Sequence, residues 1–232
     1  MDVRTTRLPK IGVRLPTGGW LNGLNEQFRC NSRRKSVPVM DLVRAHRPAD
    51  PEALRKLIEA HHRRPCTLCK CRSMGTVEHF ASNLYMAQFE HDALKLPRRF
   101  TWDECYRFQY TLFAVAPLRG RAMEMESMRL VREALGATTF RVREATRHED
   151  FDCGVDFVVE DRKTGKPVLG VQTKPESFLF RRDLVEQNKA KQKNFPAAVV
   201  FHVYDRRGEF SPTADALLQE LIDPSSSVSS VV

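Results

Sequence analysis

Gly154-Val155-Asp156-Phe157-Val158-Val159, then Asp161-Arg162-Lys163-Thr164-Gly165-Lys166-Pro167, then Val168-Leu169-Gly170-Val171-Gln172-Thr173-Lys174-Pro175 is the stretch around which the chain is organised. The outer runs are rich in β-branched residues and apolar at alternate positions, as strands are. The middle run carries turn chemistry, with Gly165 able to take φ > 0 and Pro167 closing the loop. A β-hairpin is the simplest expectation. Alternation then sets the faces. Val168, Gly170, Gln172 and Lys174 share one, Leu169, Val171 and Thr173 the other, and Asp156, Val158 and Glu160 go together on the partner strand. Antiparallel pairing brings Asp156 beside Gln172 and Lys174. A carboxylate, an amide oxygen and an ammonium would meet there. Mg²⁺ takes oxygen ligands of this kind, and a nearby ammonium can hold water or stabilise charge on a phosphate. A plain surface hairpin would carry the same residue types. Gly154 and Gly170, which open the backbone to close approach, and the abrupt end at Lys174-Pro175 weigh toward a built site.

The 232 residues are 41% hydrophobic and 29% charged, which is globular rather than disordered. They allow one large domain or two small ones. A net charge of +9 and a pI near 9.5 suggest a polyanionic partner, nucleic acid first, with simple solubility as the alternative. No apolar run approaches the roughly 20 residues that span a bilayer, and Met1-Asp2-Val3-Arg4 has no apolar segment behind it. The expectation is a cytoplasmic protein with no membrane partner. Its six cysteines would be thiols or metal ligands rather than bridges. There is no internal repeat, P-loop or Gly-x-Gly-x-x-Gly.

Residues 1–50 are rich in Arg, Pro and Gly and read as loop and turn, Thr17-Gly18-Gly19-Trp20 included. Arg33-Arg34-Lys35 before Val37-Pro38-Val39 is a basic loop entering an extended segment, suited either to phosphate or to plain solvation. Asp50-Pro51-Glu52 starts a helix that runs to about Arg64. Cys66-Thr67-Leu68-Cys69-Lys70-Cys71 follows. A Cys-x-x-Cys knuckle can aim two sulfurs at one Zn²⁺. Cys66 and Cys69 are the expected pair, Cys71 a candidate third ligand and His79 a fourth, with His61, His62, Cys30 and Cys105 in reserve. Lys70 and Arg72 would favour thiolates. Such a structural zinc would pin a loop-rich region; reduced thiols without metal are the alternative.

Val77–His91 and Thr101–Val115 read as helices, the second with a capping box from Thr101 and Glu104. The aromatic residues here read as core. Ala116-Pro117 reads as a boundary. Arg119–Leu135 is a helix with Met128, Val131 and Leu135 on one stripe and Glu124 on the same face, where a carboxylate needs a partner or a cation. Thr138–Arg143 is a strand and Glu144–Cys153 a loop. Phe178–Asn194 is a basic helix bearing Arg181, Arg182 and Lys189. Ala197–Tyr204 is a buried strand, Pro212–Ile222 a last helix, and residues 224–232 a disordered tail.

From residue 119 the order is helix, three strands, helix, strand. With Glu124, Asp156 and Gln172-x-Lys174 at their places, the chain resembles the PD-(D/E)XK nuclease superfamily, most of all the MjaI-type type II restriction endonucleases. Gly154-Val155-Asp156, the run Gly170–Phe178 and the helix from Gly120 carry the resemblance, with a fainter echo at Trp20–Val43 in Asn25, Arg33, Val37–Val39 and Leu42. It covers about half the chain and leaves out the cysteine cluster. It implies an α/β (α+β) fold. Its restriction-endonuclease-like core at 117–223 would be a mixed central sheet flanked by helices in αβββαβ order. Residues 1–116 would be a mainly helical recognition region.

The implied activity is Mg²⁺-dependent hydrolysis of double-stranded DNA at a short site. Asp156 would anchor the metal, Gln172 would give its amide oxygen where the usual motif has an acid, and Glu124 would complete the shell. Lys174 would position the water or stabilise the transition state. Glu149 and Asp152 are candidate extra ligands. Arg33, Arg34, Lys35, Arg181, Arg182 and Lys189 would track DNA. A homodimer and a cognate DNA methyltransferase would be expected partners. The sequence departs from the pattern in two places: Val155 precedes the aspartate, and Gln172 replaces an acid. A zinc-stabilised DNA-binding protein with a decayed nuclease core therefore stays open, as does a repair or junction-resolving nuclease.

Overall fold

The computed structural model describes residues 18–28, 37–65, 69–90, 96 and 98–222. The chain is a mixed α+β protein. It divides into two compact units, Met1–Leu118 and Arg119–Val232.

The first unit is helical where described. Gly18–Phe28 (α1) and Val39–His46 (α2) are helices, where the sequence pattern suggested loop and extended chain. The short α2 has Leu42 and Val43 buried, and its end is closed by Arg47 in the left-handed conformation (φ 46°). Pro51–Arg63 (α3) begins as expected, with the Asp50 side chain accepting the Ala53 N–H at 2.7 Å. Val77–Glu90 (α4) follows, then Trp102–Tyr110 (α5), which has the complete Thr101–Glu104 capping box. One core joins Leu42, Val43, Leu54, Ile58, Val77, Phe80 and Phe113; another joins Leu21, Leu24, Leu84, Phe100 and Cys105.

Ala116-Pro117 does not break the chain. α5 passes through a π turn, Thr111–Val115, into Ala116–Leu135 (α6), and the Ala116 N–H donates to Thr111 O. A proline has no N–H for the preceding turn and crowds its carbonyl. A wide turn just before it relieves both problems.

The second unit holds a five-stranded sheet. Phe140–Glu144 (β1), the short helix Arg147–Phe151 (α7), Phe157–Asp161 (β2) and Pro167–Pro175 (β3) come first. A 3₁₀ turn at Glu176–Phe178 leads to Arg182–Gln192 (α8). Ala198–Tyr204 (β4), Phe210–Ser211 (β5) and Ala214–Ile222 (α9) complete it. The strand order is β1-β2-β3-β4-β5, with β3 and β4 parallel and the other pairs antiparallel. α7 and β5 were not expected; α7 lies in the supposed loop before Asp156 and is too short to show periodicity.

Alternation sorts the sheet's faces. Phe157, Val159, Leu169 and Val171 pack with Met128, Val131 and Leu135 of α6 and Leu217 and Leu218 of α9. The opposite face holds Val155, Val158 and Phe195. Gly170 has to be glycine, because a Cβ there would stand 2.9 Å from the Phe195 ring. No helix among the described residues is long and apolar enough to cross a membrane.

Candidate active site

Asp156 sits just before β2. Its N–H donates to Val171 O at 2.9 Å, and its Oδ2 accepts the Thr173 N–H at 2.7 Å. The carboxylate is thus clamped to the backbone of β3. It is half-buried, and its desolvation pushes the pKa up to about 7. The ammonium of Lys174 opposes the rise; Glu124 and Asp150 add to it. Burial wins because taking an ionised carboxylate out of water costs more than one ammonium returns. Lys174, next to the end of β3, also lies 5.9 Å from the Phe178 ring centroid.

Glu124 comes from α6 and is mostly buried beside Arg121, whose Nη1 donates to it at 3.3 Å while its Nη2 binds Glu144 at 2.9 Å. Tyr204, at the end of β4, reports on the same place. Burial raises its phenol pKa, the Arg119 guanidinium lowers it, and the charges of Glu124 and Asp156 raise it again. Asp156 thus lies within electrostatic reach of Lys174 and Glu124, and Tyr204 within reach of Arg119, Glu124 and Asp156, near where the strands end. Tyr204 and Arg119 were not singled out from the sequence. Tyr204's place depends on β4 pairing parallel to β3, with Pro175 opposite Tyr204, a non-local contact that alternation cannot reveal; Arg119 comes from the first turn of α6.

Gln172 is buried, 3% exposed, with its amide engaged at both ends. Asn188 Nδ2 donates to the Leu184 carbonyl at 2.8 Å, which turns Asn188 Oδ1 toward Gln172 Nε2 at 2.9 Å. Gln172 Oε1 in turn accepts from Gln192 Nε2 at 3.0 Å. This amide chain ties β3 to α8. Gly154 (φ +66°) makes room for it: a Cβ there would stand 3.3 Å from Gln172 Nε2.

The other acids near Asp156 are committed elsewhere. Glu149 is held in a two-pronged pair with Arg143 at 2.7 and 2.8 Å, and that guanidinium keeps its pKa down at about 2. Asp152 pairs with His148 at 2.8 Å on the surface. Glu160 is buried between Arg141 and Arg143. The acid of this segment that Asp156 feels is Asp150, not Glu149 or Asp152.

Among the basic residues, Arg182 and Lys189 are exposed on α8, and Arg181 pairs with Asp183 at 3.2 Å. Arg33, Arg34 and Lys35 lie outside the described residues.

Of the expected zinc ligands, Cys69, Cys71 and His79 are among the described residues. Cys66 lies outside the described residues. His79 is exposed, its ring 5.0 Å from that of His62. The Cys71 thiol donates to the Cys69 carbonyl at 3.1 Å. Cys69 instead groups with His46 and His61, their ligand atoms all within 4.8 Å of one another. His46 escaped notice because α2 was read as irregular chain. Comparison of the sequence and structure with protein-family models, curated proteins and solved structures gives no match.

Proposed function

We propose that this chain is a Mg²⁺-dependent endonuclease that hydrolyses double-stranded DNA at a short specific site, in the manner of a type II restriction endonuclease with a PD-(D/E)XK core. One observation carries this: burial and the charge of Glu124 push the Asp156 pKa up to about 7, against the opposing ammonium of Lys174. Asp156 in this setting favours its neutral form, and a divalent cation would stabilise the ionised one. The second unit runs α6, β1, α7, β2, β3, α8, β4, which contains the αβββαβ order with α7 inserted between the first two strands, and its sheet is mixed; both support the reading.

Asp156 and Glu124 would hold the Mg²⁺. Gln172 would lend the second lone pair of its amide oxygen, the first being taken by Gln192. Bound Mg²⁺ supplies Lewis acidity toward the phosphate and lowers the pKa of its water. Lys174 faces the site where negative charge develops and stabilises it. The Thr173 N–H holds Asp156 in place, so the carboxylate need not be reoriented when substrate arrives. Arg182 and Lys189 would meet phosphates, which gives affinity without sequence choice. Palindromic sites would call for two copies of the chain. A cytoplasmic restriction system with a matching DNA methyltransferase is the expected setting.

A second reading is favoured by the amide chain itself. With Gln172 locked to Asn188 and Gln192, the site can be a decayed one that binds DNA without cutting. Incubating the protein with mixed plasmid DNA and Mg²⁺ decides. Discrete fragments support restriction, binding without cutting supports the decayed core, and structure-selective nicking points to repair.

A further inference from the structure

We propose that the first unit carries a Zn²⁺ site formed by His46, His61 and Cys69, a different set from the Cys66, Cys69, Cys71 and His79 that the cysteine motif suggests. The proposal does not rest on the nuclease reading.

His61 carries it. It lies on the buried face of α3, one turn after Ile58, and is only 5% exposed. Its Nδ1 is 2.7 Å from the Leu57 carbonyl, which can only accept, so Nδ1 holds the proton. That leaves Nε2 with a bare lone pair, and Nε2 is buried with no hydrogen-bond partner. A buried acceptor left without a partner is destabilising, so a ligand that satisfies it is favoured. A backbone carbonyl fixing one ring nitrogen while the other faces a metal is the usual arrangement for a histidine ligand.

The neighbours supply the rest. His46 is the last residue of α2, and its ring meets that of His61 edge-on, with centroids 5.0 Å apart. Cys69 is half-buried and in no disulfide. Lys70, next to it, takes the left-handed conformation (φ 53°), which turns the chain sharply after Cys69. The three ligand atoms lie within 4.8 Å of one another. Tetrahedral bonds of about 2.0–2.3 Å put such atoms about 3.3–3.8 Å apart, so small side-chain adjustments close the site. Two imidazoles and one thiolate select zinc over magnesium or calcium. Binding replaces the Cys69 S–H bond with a sulfur–metal bond and releases that one proton to solvent. The ion would join the end of α2, the end of α3 and the turn after it.

Full-length protein, stripped with a chelator, should be titrated with Co²⁺ and then Zn²⁺. One equivalent of Co²⁺ is expected to give thiolate-to-cobalt charge-transfer absorption and strong tetrahedral d–d bands. One equivalent of Zn²⁺ should abolish both and raise the thermal midpoint. Cys69→Ser should remove the charge-transfer band and weaken Zn²⁺ binding by about 100-fold or more, whereas Cys71→Ser and His79→Ala should leave both intact. Because Cys69 is half-buried, its serine variant tests the site without the packing loss that a change at His61 would bring. The proposal is overturned if wild-type protein binds no Co²⁺, if the band survives Cys69→Ser, or if Cys71→Ser or His79→Ala removes it.

Discussion

The pocket at the strand ends and the histidine–cysteine cluster both gather metal-ligating atoms, but by opposite physical means. Around Asp156 the donors are hard oxygens, and the tension is one of charge: desolvation and the neighbouring Glu124 push the Asp156 pKa up to about 7. Around His61 the donors are nitrogen and sulfur, and the tension is an orphaned lone pair whose tautomer a carbonyl has fixed. The first kind suits an ion that arrives with substrate and keeps some water. The second suits an ion that stays. A buried group can thus reveal its missing partner through a shifted proton equilibrium or through an empty hydrogen-bond slot.

The largest effect that would break this contrast is on cleavage. Asp156→Ala and Lys174→Ala should each cut DNA hydrolysis by roughly 10³-fold or more while circular dichroism stays unchanged. Cys69→Ser should lower zinc content and thermal midpoint first. Full cleavage by either of the first two variants would move the active site elsewhere.

Next in size is the pH dependence. Asp156 must ionise to hold a cation, so cleavage at limiting Mg²⁺ should climb nearly tenfold per unit below pH 7 and level off above it. A flat profile across that range would remove Asp156 from the metal shell.

The same shift has a consequence for stability. Asp156's folded pKa lies above its unfolded value, so the unfolded chain loses that proton first. Metal-free protein therefore loses stability as pH rises from about 4 to about 7. Asp156→Asn should stabilise the metal-free protein at pH 8 by about 1–2 kcal/mol in urea melts while abolishing cleavage. His202 acts in the other direction. Burial lowers its pKa to about 4 beside Ser127, so its contribution is present above about 6.5 and is lost as pH falls toward 4. The asparagine variant should then show a steeper acid-side loss than wild type.

The smallest expected effect concerns the helix that carries His61. Asp50→Ala removes the cap of α3 and should cost about 1 kcal/mol of stability without touching cleavage. Loss of zinc along with the cap would show that the cluster depends on how α3 begins.

The hairpin was legible because alternation is local. Asp156, Gln172 and Lys174 lie within one supersecondary unit, and their side of the sheet follows from parity alone. Glu124 was legible as an acid on an apolar stripe. What escaped was set by distance or brevity. Tyr204 joins through parallel pairing across a crossover, and α7 is a single turn or so of helix. α2 begins after Pro38 and is too short for its spacing of Val39, Leu42 and Val43 to stand out, so His46 had no visible face. His61 sat on the apolar side of a correctly read helix, and its polar character there was the available clue. Gln172's engagement with Asn188 and Gln192 needs side-chain geometry that no sequence pattern encodes.

The wide turn at Thr111–Val115 bears on how such a chain can be cut and rejoined. Ala116-Pro117 looks like a natural splice point, yet it lies in the opening turn of the helix that bears Glu124. A graft of a foreign recognition module at that dipeptide would sever the helix upstream of its acid. Viable chimaeras should keep Thr111 onward together with the unit that carries Glu124.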